Sequence, residues 1–182
     1  MTDPNSGQPP VSPSMRDRAR VPYPTLGWIC RTPARFIAFG FGSGLVRPAS
    51  GTWGTLMAWF LWRVAVPPAS NVALGLFLAF AFVYGCWVCH RVGAELGEHD
   101  HVGMVWDEVV AFWLVLWLSP ATWMAQLVAF LLFRAFDIVK PPPIKYFDAR
   151  MKGGIGVMWD DLLAAVYALL CMAVLVRLGV LQ

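Results

Sequence analysis

The stretch V-A-L-G-L-F-L-A-F-A-F-V-Y-G-C-W-V-C, Val72 to Cys89, runs for 18 residues without a charge. A helix needs about 20 mostly apolar residues to cross the hydrocarbon core of a bilayer, so this stretch is the best candidate span in the chain. The whole chain shares its bias. Of 182 residues 58% are hydrophobic and 14% charged, and mean hydropathy is +0.59. Soluble domains lie nearer about half apolar and about a quarter charged, so the composition is that of a membrane protein. A net charge of +3 gives no case for nucleic acid. A basic N-terminal region on an apolar body suits an anionic membrane surface instead.

Four more apolar stretches flank this one. Trp53 to Val66 is short, carries Arg63 and stops at P-P-A-S-N. Val109 to Leu118 is intensely apolar and is broken by S-P-A-T, after which Trp123 to Phe136 resumes. The last helix is expected from Asp161 to about Leu178. A helix from Trp106 to Leu118 would cover only ~20 Å of a ~30 Å core, so it enters part-way or lies buried among the others. The expected fold is all-α: a compact membrane-associated bundle of about five helices, some too short to span fully.

Residues 1–35 hold seven prolines and five arginines. Proline at this density opposes regular structure, so these residues read as a disordered basic tail that settles near the membrane around Trp28. Residues 36–182 then form a single helical domain. The segment C-W-V-C-H, Cys86 to His90, matches a haem-attachment pattern. It lies within an apolar span with no cleavable signal before it, and it reads better as two small apolar residues and a boundary histidine. No second cysteine pair supports zinc.

Counting Lys and Arg orients the chain. With the basic tail inside, two successive hairpins return the chain to the same side at His90 and Arg91, and again before Lys140, Lys145, Arg150 and Lys152. Three polar segments then share one membrane face: Glu95 to Glu108, Phe133 to Ile144 and Lys152 to Asp161.

Two of these segments carry a matching device, G-M-V-W-D-E-V-V-A from Gly103 and G-V-M-W-D-D-L-L-A from Gly156. Asp107, Glu108, Asp160 and Asp161 each stand at the opening of an apolar run. One acid there serves as a helix cap. Two pairs brought close would repel unless cations bridge them, and oxygen-rich clusters suit hard divalent ions, Mg²⁺ above all. Arg134 and Asp137 are neighbours on a helix face. With Lys140, placed where P-P-P ends the helix, Arg134 forms either an ion pair and a snorkelling lysine or an anion clamp. In H-D-H, His99 and Asp100 offer acid–base chemistry, while His101 reads equally as part of a solvated loop. Residues 36–56 contain Gly40, Gly42, Gly44, Gly51 and Gly54, which suit either a backbone anion cradle or close helix contact.

These motifs together resemble the phosphatidylglycerophosphatase A family. F-G-F-G-S-G-L, G-T-W-G-T-L, H-D-H-V-G-M-V-W-D-E, F-R-A-F-D-I-V-K-P-P-P-I and G-G-I-G-V-M-W-D-D each resemble one of its motifs, in the same order, over about residues 36 to 168. The departures are small: Ser50 where proline is frequent and Ala165 where glycine usually follows, and neither removes a charge. The resemblance implies a Mg²⁺-dependent lipid phosphatase at the cytoplasmic face of the bacterial inner membrane. Its expected substrate is phosphatidylglycerophosphate and its product phosphatidylglycerol.

On this reading Asp107, Glu108, Asp137, Asp160 and Asp161 hold one or two Mg²⁺ ions. Arg134 and Lys140 neutralise the phosphomonoester. His99, Asp100, Asp107 and Asp137 are the catalytic candidates, with His99 or Asp100 relaying a proton. Ser43, Thr52, Gly42 and Gly44 wrap the phosphate or glycerol. Other phosphatase chemistries lack their signatures: the one C-x5-R spacing, Cys171 to Arg177, falls within the expected last helix rather than in a loop, and D-x-D-x-T is absent. The competing expectation is a small transporter or channel subunit passing divalent cations or protons through acids at helix ends. Oligomeric state is not legible.

Overall fold

The computed structural model describes residues 23–66, 70–142, 144, 146 and 153–181. Among these, every regular element is helical. In chain order they are α1 (Leu26–Ile29), α2 (Pro33–Ala38), a 3₁₀ segment (Gly40–Leu45), α3 (Ser50–Ala65), α4 (Asn71–Leu96), α5 (Trp106–Leu118), α6 (Trp123–Val139) and α7 (Gly154–Arg177). The five expected helices are α3 to α7.

The shortest of the five lies at the centre. Nine of the 13 residues of α5 are buried, and α5 packs against α3, α4, α6 and α7. Its length spans only ~20 Å, so it serves as a core helix around which longer ones close. Buried indoles need a hydrogen-bond partner, and those of α5 find one on neighbouring helices. Trp113 Nε1 donates to the Ala58 carbonyl of α3 at 2.9 Å. Trp106 Nε1 donates to the Ala81 carbonyl of α4 at 3.2 Å. A third indole, Trp59 of α3, donates to Gln126 Oε1 of α6 at 2.8 Å.

Among the described residues two helices are long and apolar enough to cross a membrane, α4 with 26 residues and α7 with 24. Their outer faces leave Phe80, Leu170 and Val174 exposed, which is the expected state of a lipid-facing surface. Local signals set the ends. The Ser70 hydroxyl accepts from the Ala73 N–H to start α4, and Gly97 ends it in the left-handed region. Thr122 caps α6, and Lys140 ends it at φ +44°, just before Pro141.

Three expectations are changed or sharpened. Residues 23–35, assigned above to the tail, hold α1 and the start of α2, with Ile29 fully buried. Thr25 and Thr32 cap these short helices, and Pro33 sits at a helix start, where its missing N–H is harmless. Residues 1–22 lie outside the described residues. The second change is that α7 starts at Gly154 rather than Asp161. An added Cβ at Gly154 would lie 1.8 Å from the Cys86 carbonyl oxygen, so this glycine lets α7 approach α4 rather than breaking the helix. Lastly, the glycines of residues 36–56, read above as an anion cradle or as close helix contacts, divide between two settings. Only Gly40 and Gly42 take positive φ, while Gly51 and Gly54 lie inside α3.

Candidate active site

The near ends of α5 and α7 and the last turns of α6 converge. The first turn of α5 presents Asp107 and Glu108. Asp160 and Asp161 project from within α7, beyond its first turn, so neither caps that helix. Oxygens of Asp107, Glu108 and Asp161 lie within 4.8 Å of one another. Asp107 is 7% exposed and Asp161 3%. Asp107 Oδ1, Glu108 Oε2 and Asp161 Oδ2 are buried without a hydrogen-bond partner. Such atoms are costly unless something compensates them.

The acids of α5 lie outside both span-length helices. Burial, reinforced by Glu108 and Asp161, pushes the Asp107 carboxyl well above the usual range. Burial likewise pushes Glu108 up to about 7. A protein that gathers these acids in a dry place holds a site that favours positive charge.

Some of that charge comes from α6. Arg134 Nη1 lies 2.7 Å from Asp137 Oδ2 and 3.8 Å from Glu108 Oε1. It also donates to Thr55 Oγ1 of α3 at 3.4 Å, and the Thr55 hydroxyl donates to the Gly51 carbonyl at 2.8 Å. Lys140 Nζ pairs with Asp160 Oδ2. Five carboxyl groups thus share the site with two cations.

Asp107, Glu108, Asp137, Asp161 and Arg134 therefore lie together, with Lys140 and Asp160 paired to each other. Gly42, Ser43 and Gly44 of the glycine-rich segment do not join them. The Ser43 hydroxyl donates to the Gly40 carbonyl at 2.7 Å. An added Cβ on Gly44 would lie 2.0 Å from the Gly103 carbonyl oxygen, and Gly42 faces the side chains of Ile29 and Leu26. These three form a joint between α2, α3 and the loop before α5, because their polar groups and free space are already used within the fold. Thr52 is half-buried in the first turn of α3, one residue past Gly51.

His99 and Asp100 are exposed. His99 lines a groove with His90 and Gly153 that includes none of the five carboxylates. His101 is no part of a solvated loop. It is 3% exposed, its Nδ1 accepts from the Gly103 N–H at 3.0 Å, and its ring packs on Tyr23 and Phe39. Cys86 and Cys89 are free thiols on α4, Cys89 buried. Lys145, Arg150 and Lys152 lie outside the described residues.

Sequence reasoning missed Gly51 and Thr55 as site residues. A Cβ on Gly51 would lie 2.2 Å from Glu108 Oε1 and 2.9 Å from Arg134 Nη2, so this glycine makes room for the charged pair. The signal was present in G-T-W-G-T, whose i, i+4 spacing puts Gly51 and Thr55 on one helical face.

Fold and site define an all-helical membrane enzyme with a carboxylate-rich centre. Residues 36–176 match the phosphatidylglycerophosphatase A family; the chain belongs to that family, and it is a phosphatase, a phosphoric monoester hydrolase. It is 45% identical over 139 residues to phosphatidylglycerophosphatase A of Haemophilus influenzae, covering 76% of this chain and 85% of the relative. It is 37% identical over 138 residues to phosphatidylglycerophosphatase A of Escherichia coli, covering 74% and 78%. A Bacteroides thetaiotaomicron protein provisionally named phosphatidylinositol-3-phosphatase is 38% identical over 146 residues, covering 76% and 90%. No solved structure matches the chain.

Proposed function

We propose that the chain hydrolyses the terminal phosphomonoester of phosphatidylglycerophosphate to phosphatidylglycerol and phosphate, with Mg²⁺ as cofactor, at the cytoplasmic face of a bacterial inner membrane. One observation carries the reading: Asp107, Glu108 and Asp161 each keep a buried oxygen without a hydrogen-bond partner, and carboxylate oxygens of the three lie within 4.8 Å of one another beside Arg134. The names of the Haemophilus and Escherichia relatives support the substrate. The arginine and lysine content of the polar face supports the orientation.

The residues fit a hard divalent ion, since the donors are all carboxylate oxygens and they are close enough to share one. Mg²⁺ held by Asp107, Glu108 and Asp161 would neutralise the phosphoryl oxygens and acidify a water. Arg134, fixed by Asp137 and Thr55, has its Nε buried without a partner and is placed to grip a phosphate oxygen. Asp137, oriented by Arg134 at 2.7 Å, is the proton acceptor of this reading. The bond from water oxygen to phosphorus forms as the bond from phosphorus to the glycerol oxygen breaks. The glycerol oxygen leaves with a proton, giving alcohol and inorganic phosphate. The proton relay expected of His99 draws no support from its place in another groove.

The test is phosphate release by purified protein in detergent, with Mg²⁺ or EDTA, beside Asp107→Asn and Asp161→Asn. Phosphatidylglycerophosphate and phosphatidylinositol-3-phosphate are assayed in parallel. Release from the first lipid that needs Mg²⁺ and collapses in both folded variants is expected. Preference for the inositol lipid would move the substrate to that of the Bacteroides relative. Activity untouched by EDTA would remove the metal.

A further inference from the structure

We propose that a slot along one face of α4 seats an acyl chain of the lipid substrate, with the phosphodiester of its head at His90 and His99 and the terminal phosphate left to reach the acids. The identity of the lipid rests on the phosphatase reading above; the slot itself rests on geometry.

Gly75, Ala79, Phe82, Cys86 and His90 recur every three or four residues, so they line one face of α4. The face is ~22 Å long at helical rise. Two grooves lie end to end on it, of about 320 Å³ and about 480 Å³, and they share Val83. Leu114 and Trp117 of α5 and Leu162 of α7 wall the first groove. Its far end is closed by Trp117, whose Nε1 donates to Asn71 Oδ1 at 3.3 Å. The absent side chain of Gly75 leaves the space there: a Cβ would come within 3.3 Å of the Trp117 ring. The second groove ends among His90, His99 and Gly153.

The slot's chemistry runs from hydrocarbon at one end to two imidazoles at the other. Each imidazole can donate to an anion, and none of the five site carboxylates lines this end. Leu76 and Phe80 of the same helix are 68% and 69% exposed, an apolar surface along which a lipid enters without leaving its apolar medium. The slot's wall is also built from two helices that carry the site's acids, α5 and α7. Leu162 follows Asp161 directly, and Val110, another wall residue, stands one turn after Asp107. A chain with an anionic head matches each of these features. A second copy of the protein is the competing occupant.

Ala79 is exposed within the slot, so Ala79→Trp plugs it without disturbing the core. Leu76→Trp places the same ring on the lipid-facing side, outside the slot. With long-chain phosphatidylglycerophosphate, Ala79→Trp is expected to raise KM about tenfold, because several methylenes lose their seat. With a dihexanoyl analogue it is expected to stay within about twofold of wild type, and Leu76→Trp to behave as wild type on both. Equal effects of the two variants, or equal loss on both substrates, would overturn the slot. A second measurement does not depend on turnover: phosphatidylglycerol with a diazirine in its acyl chain is photolysed in nanodiscs with the full chain. Label on peptides containing Phe82 and Leu162, lost in Ala79→Trp, is the expected result. Label spread evenly over the outer face of α4, or cross-links between two protein copies through the slot, would overturn the proposal. If wild type releases no phosphate from the lipid, the phosphatase reading fails while the photolabel still decides the slot.

Discussion

Gly51 of α3 lies so close to Glu108 of α5 that a Cβ on the glycine would sit 2.2 Å from Glu108 Oε1. The obstructing atoms are the far ends of flexible side chains, Glu108 and Arg134. They can swing aside at small cost, but not while keeping their places in the site. Gly51→Ala is therefore expected to leave stability within ~1 kcal/mol of wild type. Misplacing catalytic groups by about 1 Å costs on the order of 100-fold in rate, and a loss of that size is expected in phosphate release. Thermal melts in detergent beside the activity assay check both halves; a fully active variant would remove Gly51 from the site.

The same substitution at Gly154 is expected to behave in the opposite way. Its Cβ would meet the Cys86 carbonyl oxygen at 1.8 Å, and backbone within a helix cannot step aside. Forcing α7 away from α4 is an overpacking defect of about 3 kcal/mol or more. Gly154→Ala should melt well below wild type or fail to accumulate in the membrane fraction. Normal melting would mean that the two helices are not so closely apposed.

Asp161 is expected to trade stability for function. It is 3% exposed, and its Oδ2 has no hydrogen-bond partner beside Asp107 and Glu108. Like charges buried together oppose folding unless a cation relieves them. Asp161→Asn should raise the stability of metal-free protein by about 1 kcal/mol while abolishing turnover. Mg²⁺ should raise the melting temperature of wild type through linkage and leave that of the variant unchanged. An equal Mg²⁺ shift in both proteins would place the ion elsewhere.

Much of this was legible in the chain because charges and prolines are expensive in apolar surroundings. Each of α3 to α7 is an apolar run bounded by P-P, S-P or a polar cluster, and Asp107, Asp161 and Arg134 stood out as charges that such runs do not tolerate without a partner. What escaped reading depended on distant neighbours. Gly154 looks like a loop residue until Cys86 is seen behind it. Gly51 becomes a site residue only because Glu108 and Arg134 lie against it. Ser43, in a motif that reads as an anion cradle, is turned inward by the Gly40 carbonyl. Local sequence records which groups are available, while long-range packing decides which of them have spare valence.

His101 gives a pH dependence separate from catalysis. Burial, with Arg47 adding to it, holds its imidazole below the usual histidine value, against opposing contributions from Glu98 and Asp100. Its Nδ1 accepts the Gly103 N–H at 3.0 Å, a bond that protonation of that nitrogen breaks. The unfolded chain titrates near ~6.5. Between the lowered folded value and that figure the unfolded state binds more protons, so stability rises with pH there. The contribution of His101 is complete above about pH 6.5 and is lost as pH falls through the folded value. Melts of wild type from about pH 8 to about pH 5 should show this decline. In His101→Gln the decline should flatten while turnover at neutral pH persists. An identical slope in the variant would assign the acid sensitivity to the carboxylates instead.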